Sequence, residues 1–329
     1  MTHSSLSAVI PTRNRPDDLV KAVASVLAQT RLPEECLIID QSPGNESQVK
    51  VESMLAEHAR QQAERGQRAM RLIYVHDQSI PGLVAAKHDA VGRASGNLIC
   101  FLEDDLVLEP EYLANMERGF SEHPDMVGSC GVMTNVPRMP FGYASIYKFF
   151  HRGIFIDERI GVFYSERSTN DHLIPCITLC GGISAWRREV FALVPFDIVN
   201  GFHMMEDIDF STRVAMQYGP RLFINPSART AHNFSPINRD KRGDAYRRKV
   251  VEAVIFFKKR RSLPWALVHF LWLLVGLSIE ALFKSIAHRS FYPIRGLCGG
   301  LFAGLRKQVV PQPLGPARAT PAISAGAKP

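Results

Sequence analysis

Cysteine pairs at metal-ligand spacing are missing from this chain of 329 residues. Its six cysteines are scattered, and the nearest two, Cys176 and Cys180, form a CxxxC inside an apolar stretch, a poor zinc signature. Reduced structural cysteines in a cytosol-facing domain are therefore expected. A signal-like opening is also lacking. Met1 to Ser7 is short and polar and runs straight into Pro11-Thr12-Arg13-Asn14-Arg15-Pro16, so no secretory leader is expected. No recognised nucleic-acid motif accompanies the basic residues, which argues against a nucleic-acid partner. Formal charge is absent from Leu263 to Ile279, a gap long enough to raise the question of a membrane.

What is present is a globular composition, 46% apolar and 22% charged, sufficient for one large domain or two ordinary ones. The net charge of +7 favours anionic partners such as nucleotides or acidic lipid. That charge is local. Residues 239–261 hold ten Lys/Arg against three acids, a surplus of seven equal to the whole net charge.

The first 135 residues alternate short apolar runs with amphipathic ones. Ser7-Ala8-Val9-Ile10, Cys36-Leu37-Ile38-Ile39, Leu72-Ile73-Tyr74-Val75 and Leu98-Ile99-Cys100-Phe101-Leu102 read as strands. Between them, Leu19, Ala22, Val23, Val26 and Leu27 fall at helical spacing, a polar helix is predicted over about 46–68, and another over about 83–94. This alternation predicts an α/β fold with a mainly parallel sheet flanked by helices. Ligands bind such sheets beyond the carboxyl ends of the strands. Pro11-Thr12-Arg13, Asp40, Asp77 and the triplet Glu103-Asp104-Asp105 all lie there. Two carboxylates about 4 Å apart repel by about 4 kcal/mol near a protein surface. The triplet must therefore splay into water or enclose a cation. Taken singly, each of these acids has a plain structural explanation as a turn or helix cap.

Further along, Cys180-Gly181-Gly182-Ile183 offers a paired glycine where backbone can approach closely. Glu206-Asp207-Ile208-Asp209 opens a predicted helix, where acids also suit the helix dipole. His232 closes the region.

In order and spacing these pieces resemble the family-2 glycosyltransferases of the GT-A fold, over about residues 6–235. The match runs through Pro11-Thr12-Arg13-Asn14-Arg15, Asp40, Gly82-Leu83 with Ala86-Lys87, the Leu102-Glu103-Asp104-Asp105 variant of a DxD motif, Gly181-Gly182 with Arg187-Arg188, Glu206-Asp207 and His232. The resemblance implies a GT-A, Rossmann-like mixed and mainly parallel sheet. It implies a nucleotide-sugar donor bound by Pro11, Thr12, Arg13, Asp40, Lys87, Glu103 and Asp104. Asp105 and His232 would hold a divalent cation, Mn²⁺ or Mg²⁺, with the imidazole favouring Mn²⁺. Asp207 would be the general base of an inverting displacement. Gly181, Gly182 and Glu206 would border donor sugar and acceptor. Three departures bear on the donor: Glu103 stands where Asp is usual, Lys87-His88 where Arg-Asn is frequent, and Met205 where a small residue is common. A lysine contacts phosphate as a point charge rather than a bidentate fork. Two other readings stay open, a nucleotidyltransferase making nucleotide-sugars and a catalytically silent nucleotide- or lipid-binding scaffold.

The C-terminal third divides into a basic amphipathic segment, 236–261, hydrophobic membrane-associated helices over 262–310, and a tail, 311–329, whose Pro/Ala-rich composition predicts disorder. Ser262 to Phe283 is about as long as a membrane span. Basic residues flank both sides, so either a span or an interfacial helix is expected, with the basic block drawn to anionic lipid. The glycine-rich Leu297–Leu305 stretch could complete a shallow membrane hairpin. Together these features predict a membrane-associated enzyme with its catalytic domain, 1–235, in the cytoplasm and a glycan or lipid-linked acceptor.

Overall fold

The computed structural model describes residues 4–64, 70–136, 142–159, 172–237 and 242–312. The strand β1 (Leu6–Thr12) is fully buried and leads into α1 (Pro16–Leu27), which carries Pro16 in its first turn and Asp17 and Asp18 against its N-terminal dipole. Then follow β2 (Glu35–Asp40), α2 (Glu46–Glu64), β3 (Arg71–His76), α3 (Gly82–Arg93) and β4 (Leu98–Leu102). β1 pairs in parallel with both β2 and β4, and β2 with β3. The N-terminal alternation thus forms the predicted parallel half-sheet, and the element boundaries fall within three residues of the periodicity wherever both ends are described.

The second half is mixed. β5 (Leu106–Leu108) and α4 (Tyr112–Glu122) follow the acidic turn, then β6 (Gly128–Met133), α5 (Tyr143–Phe150), β7 (Ile174–Cys176), β8 (Ile183–Arg187) and the single turn α6 (Val190–Leu193). α7 (Glu206–Tyr218) and β9 (Leu222–His232) complete the sheet region. The order is β3-β2-β1-β4-β8-β6-β9-β5, with β7 on β9. β8 enters antiparallel between β4 and β6, and β6 runs parallel to β9. Among described residues the later pairs are mostly antiparallel. The sequence pattern could not reveal this, because fully buried strands show the same apolar runs in either direction.

Three helices follow: α8 (Arg242–Arg260), α9 (Ala266–Ala287) and α10 (Tyr292–Arg306). They form a second apolar core with Phe155, Phe202 and Ile208, built on Tyr246, Val250, Val254, Phe256, Phe270, Leu273 and Leu277. α10, the glycine-rich stretch expected to complete a membrane hairpin, packs along α8. Its buried Gly296, Gly300 and Gly304 form one face, and a Cβ at Gly300 or Gly304 would lie 2.7 Å from Val250 or Val254 of α8. The glycines are there for close helix packing. Most of the predicted disordered tail, residues 313–329, lies outside the described residues.

Candidate active site

The acidic triplet sits in the tight turn between β4 and β5, and its three side chains take different directions. Asp104 turns inward. Its oxygens accept from Thr12 Oγ1 at 2.7 Å and Arg15 at 2.7 Å, and Arg15 also donates to the Ile237 carbonyl. Burial pushes the Asp104 carboxyl up to about 6 despite Arg15. Asp104, expected on the donor side, ties the turn to Thr12 at the end of β1 and to Arg15. Asp105 is buried the other way and accepts from the Ser235 backbone N–H at 2.8 Å. Burial opposes its ionisation, yet His232 and the Ser235 N–H hold it down at about 2.

His232 comes to Asp105 by strand pairing. β5 and β9 are antiparallel with Leu106 opposite His232, so the last residue of β9 lies beside the turn. The His232 backbone is clamped by Asn135, whose amide oxygen accepts from its N–H at 2.8 Å and whose NH₂ donates to its carbonyl at 3.1 Å. The imidazole stacks on Phe234. Its Nε2 lies 2.9 Å from Asp105 and 3.0 Å from Glu103, yet it is aligned for a hydrogen bond with neither. Burial lowers the imidazolium's proton affinity, and the two carboxylates more than reverse this, raising it to about 9. Ligand atoms of Glu103, Asp105 and His232 lie within 4.8 Å of one another. Two hard oxygens and an imidazole nitrogen, from buried Asp105 and His232 and half-buried Glu103, turned to one point, fit a divalent cation. Glu103, expected toward ribose, therefore joins the two predicted metal ligands.

The glycine pair stands between this cluster and Asp207. A Cβ at Gly182 would fall 2.4 Å from the Glu103 carboxyl carbon, and one at Gly181 would fall 2.8 Å from the Asp207 Cβ. Any side chain here would separate the acids. Asp207 Oδ2 accepts from the Gly181 N–H at 3.1 Å and from Arg159, while Oδ1 accepts from the Ile208 N–H. Arg159 is itself held by Asp157 through two bonds of 2.8 Å. Glu206 faces the other way, to Lys87, whose ammonium is fully buried and donates to Glu206 at 2.6 Å and to the Gly181 carbonyl at 3.0 Å. Burial disfavours the Lys87 charge, but Glu206, Asp207 and Glu103 around it raise its affinity for the proton. Lys87 thus couples α3 to the start of α7.

Of the other predicted donor residues, Pro11 and Thr12 end β1 buried, and Arg13 is exposed in the loop after it. Asp40 is buried at the end of β2, accepting from the Ser42 N–H at 2.8 Å and the Tyr74 hydroxyl at 2.6 Å.

Residues that the sequence did not single out hold α7 in place. Glu252 of α8 is fully buried, and its carboxylate accepts from the backbone N–H groups of His203 (3.1 Å), Met204 (2.8 Å) and Met205 (2.8 Å), the three residues before Glu206. Asp209 accepts from Arg213, Lys259 and Arg260, with Lys259 also on Asp197. Lys258 donates to the carbonyls of Gly304, Leu305 and Lys307 at the end of α10. So the basic run 258–261 is mostly structural, and of its four cations only Arg261 is fully exposed. Nothing in the local pattern separates such buried cations from a solvated basic face.

The sequence profile of glycosyl transferase family 2 matches residues 7–193. A comparison with curated proteins finds no match. Among solved structures, the mannosyltransferase PcManGT from Pyrobaculum calidifontis, in complex with GDP-Man and Mn²⁺, is similar with a TM-score of 0.56 at 14% identity, covering 93% of this chain and 88% of that one. GalNAc-T7 with UDP, GalNAc and Mn²⁺ is similar with a TM-score of 0.54 at 16% identity, covering 85% of this chain and 57% of that one. At these identities the likeness concerns the fold, which is GT-A.

Proposed function

This chain belongs to glycosyl transferase family 2, and on that premise we propose that it is a metal-dependent, inverting glycosyltransferase moving a hexosyl group from a nucleotide-sugar donor to a hydroxyl of a glycan or lipid-linked acceptor in cell-surface polysaccharide synthesis. The observation that carries the reading is the convergence of Glu103, Asp105 and His232 within 4.8 Å, with the Gly181-Gly182 pair between them and Asp207. The Mn²⁺ and nucleotide or nucleotide-sugar bound by PcManGT and GalNAc-T7 support the same donor class and ion.

Glu103, Asp105 and His232 would hold Mn²⁺ or Mg²⁺, which when bound would neutralise charge on the departing nucleoside diphosphate. Pro11, Thr12, Arg13 and Asp40 would line the nucleotide pocket. Lys87 would steady Glu206 and add a positive charge behind the donor phosphates. Asp207 would take the proton of the acceptor hydroxyl as that oxygen attacks the anomeric carbon, and a single displacement inverts the configuration. Asp207 Oδ2 is engaged by Arg159, so the acceptor hydroxyl must take that position when it binds. The long apolar α9 supports membrane association; the catalytic domain would lie on the cytoplasmic side, with the acceptor presented on lipid.

A panel of nucleotide-sugars assayed with membrane lipid extract tests this. Mn²⁺-dependent release of nucleoside diphosphate is expected. Asp207→Asn should keep Mn²⁺-dependent donor binding while turnover falls roughly 10²–10⁴-fold. Pyrophosphate release would indicate nucleotidyl transfer instead, and unchanged turnover in Asp207→Asn would remove that residue from the base role.

A further inference from the structure

α9 is apolar over most of its surface, yet only one side of it is covered. Ala266, Phe270, Leu273, Leu277, Ala281 and Ser285 are buried, one per turn, along the whole helix. On the opposite side the apolar side chains are open: Trp265 is 73% exposed, Phe283 68% and Ile286 66%, with Leu271, Val275 and Leu282 about half exposed between them. An apolar stripe of this length on a globular surface marks a partner.

The same segment is charged with one sign. From Arg261 to Gln312 there are six Lys/Arg and a single acid, Glu280, which is paired to Lys249 and Lys284. All six cations are exposed, and Arg261 lies before α9 while Lys284 and Arg289 lie at its far end. Beside the stripe, between α5 and α9, an open apolar cavity of about 580 Å³ is lined by Phe149, Trp272 and Val275 with Arg152 among its walls. Apolar stripe, cations at both ends and an almost acid-free surround complement an anionic lipid surface. A second copy of this chain would bring like charges together.

We infer that α9 lies flat in the headgroup region of an anionic bilayer, its outer stripe inserted and its inner side on the protein, and does not cross the membrane. At about 33 Å it is long enough to span a hydrocarbon core of about 30 Å. Spanning would nevertheless carry the elements packed along its full length, including the Lys249–Glu280 pair, into hydrocarbon. This inference rests on the proposed membrane association and fixes its geometry.

Full-length protein is mixed with vesicles of phosphatidylcholine alone or with phosphatidylglycerol. Binding is expected to the anionic vesicles, with Trp265 and Trp272 quenched best by lipids brominated near the headgroup; Trp186 is buried and supplies an unquenched background. The triple variant Leu271→Ser/Val275→Ser/Leu282→Ser changes exposed positions only and should lose binding while keeping donor affinity. Arg261→Gln/Arg289→Gln should weaken it roughly 30-fold, about fivefold per cation. In sealed membrane vesicles from expressing cells, Ser262→Cys and His288→Cys should react to the same extent with an impermeant maleimide. Complementary labelling, or retention through an alkaline carbonate wash, would overturn the flat geometry while leaving membrane association intact. Indifference to all vesicles would overturn both, and a concentration-dependent dimer abolished by the triple variant would make a second copy the occupant.

Discussion

Truncating Glu252 should uncouple catalysis from donor binding, although the residue lies outside the region matched by the family profile. Its carboxylate is the acceptor for three consecutive backbone N–H groups immediately before Glu206-Asp207. A hydrogen bond to a charged group contributes about 1.5–3 kcal/mol, and a stranded buried donor costs about as much. Glu252→Gln keeps one acceptor oxygen and turns a donor toward at least one N–H, for a loss of about 2 kcal/mol. Glu252→Ala strands all three, on the order of 5 kcal/mol, and risks unfolding the region. The Gln variant is therefore the informative one. With loop 203–205 loosened, Asp207 loses its fixed position against Gly181, and a displacement near 1 Å costs about 10²-fold in rate. The expected result is a melting temperature lower by several degrees, a kcat reduced 10–100-fold, and unchanged affinity for Mn²⁺ and nucleotide-sugar by calorimetry. The reasoning fails if Glu252→Gln is destabilised yet turns over at the wild-type rate. A parallel loss of donor affinity would also refute it, since that would indicate general damage rather than displacement of the base.

His232→Ala or Asp105→Asn should lower Mn²⁺ affinity in the presence of nucleotide at least tenfold, read by titration with electron paramagnetic resonance, because each removes one of three converging ligands. Gly182→Ala should do the same without touching a ligand, since its Cβ would meet the Glu103 carboxyl at 2.4 Å; a folded variant of normal metal affinity would separate Glu103 from the metal cluster. Acid stability should report the Asp209 cluster. Burial would raise the Asp209 carboxyl, but Arg260, Arg213 and Lys259 hold it down at about 2 against an ordinary 3.8. The stability it contributes is thus complete above pH 3.8 and is lost as pH falls from there through 2. Urea unfolding of the wild type should lose about 2 kcal/mol across that window. Asp209→Asn should be less stable at neutral pH and show a correspondingly flatter acid limb.

Legibility in the sequence followed the range of the interactions concerned. β1, β2 and β4 were readable because burial on both sheet faces leaves unbroken apolar runs, the half-buried edge strand β3 through its short apolar run, and amphipathic spacing marks helices between them. The direction of β8 was not, because strand polarity is decided by which edge the chain returns to. Glu103, Asp105, Asp207 and His232 could be picked out through motif order, but not the division of labour within the triplet. That Asp104 faces Arg15 while Glu103 joins His232 depends on turn geometry. Arg159, Asn135 and Glu252 gave no local signal: each acts on residues 47 to 97 positions away in sequence.

By itself the sequence determined the strand–helix alternation, the chemistry gathered at the carboxyl ends of the strands, and a C-terminal helix too apolar for an ordinary surface. These are properties of short windows, in which side-chain type and spacing suffice. Tertiary structure decided which charges are buried and which are free. The basic run that looked like a lipid-binding patch spends Lys259 and Arg260 on Asp209 and Lys258 on the end of α10. Tertiary structure also decided that α9 has an inside and an outside. A charge or an apolar face takes its role from what packs against it, and those partners come from distant parts of the chain.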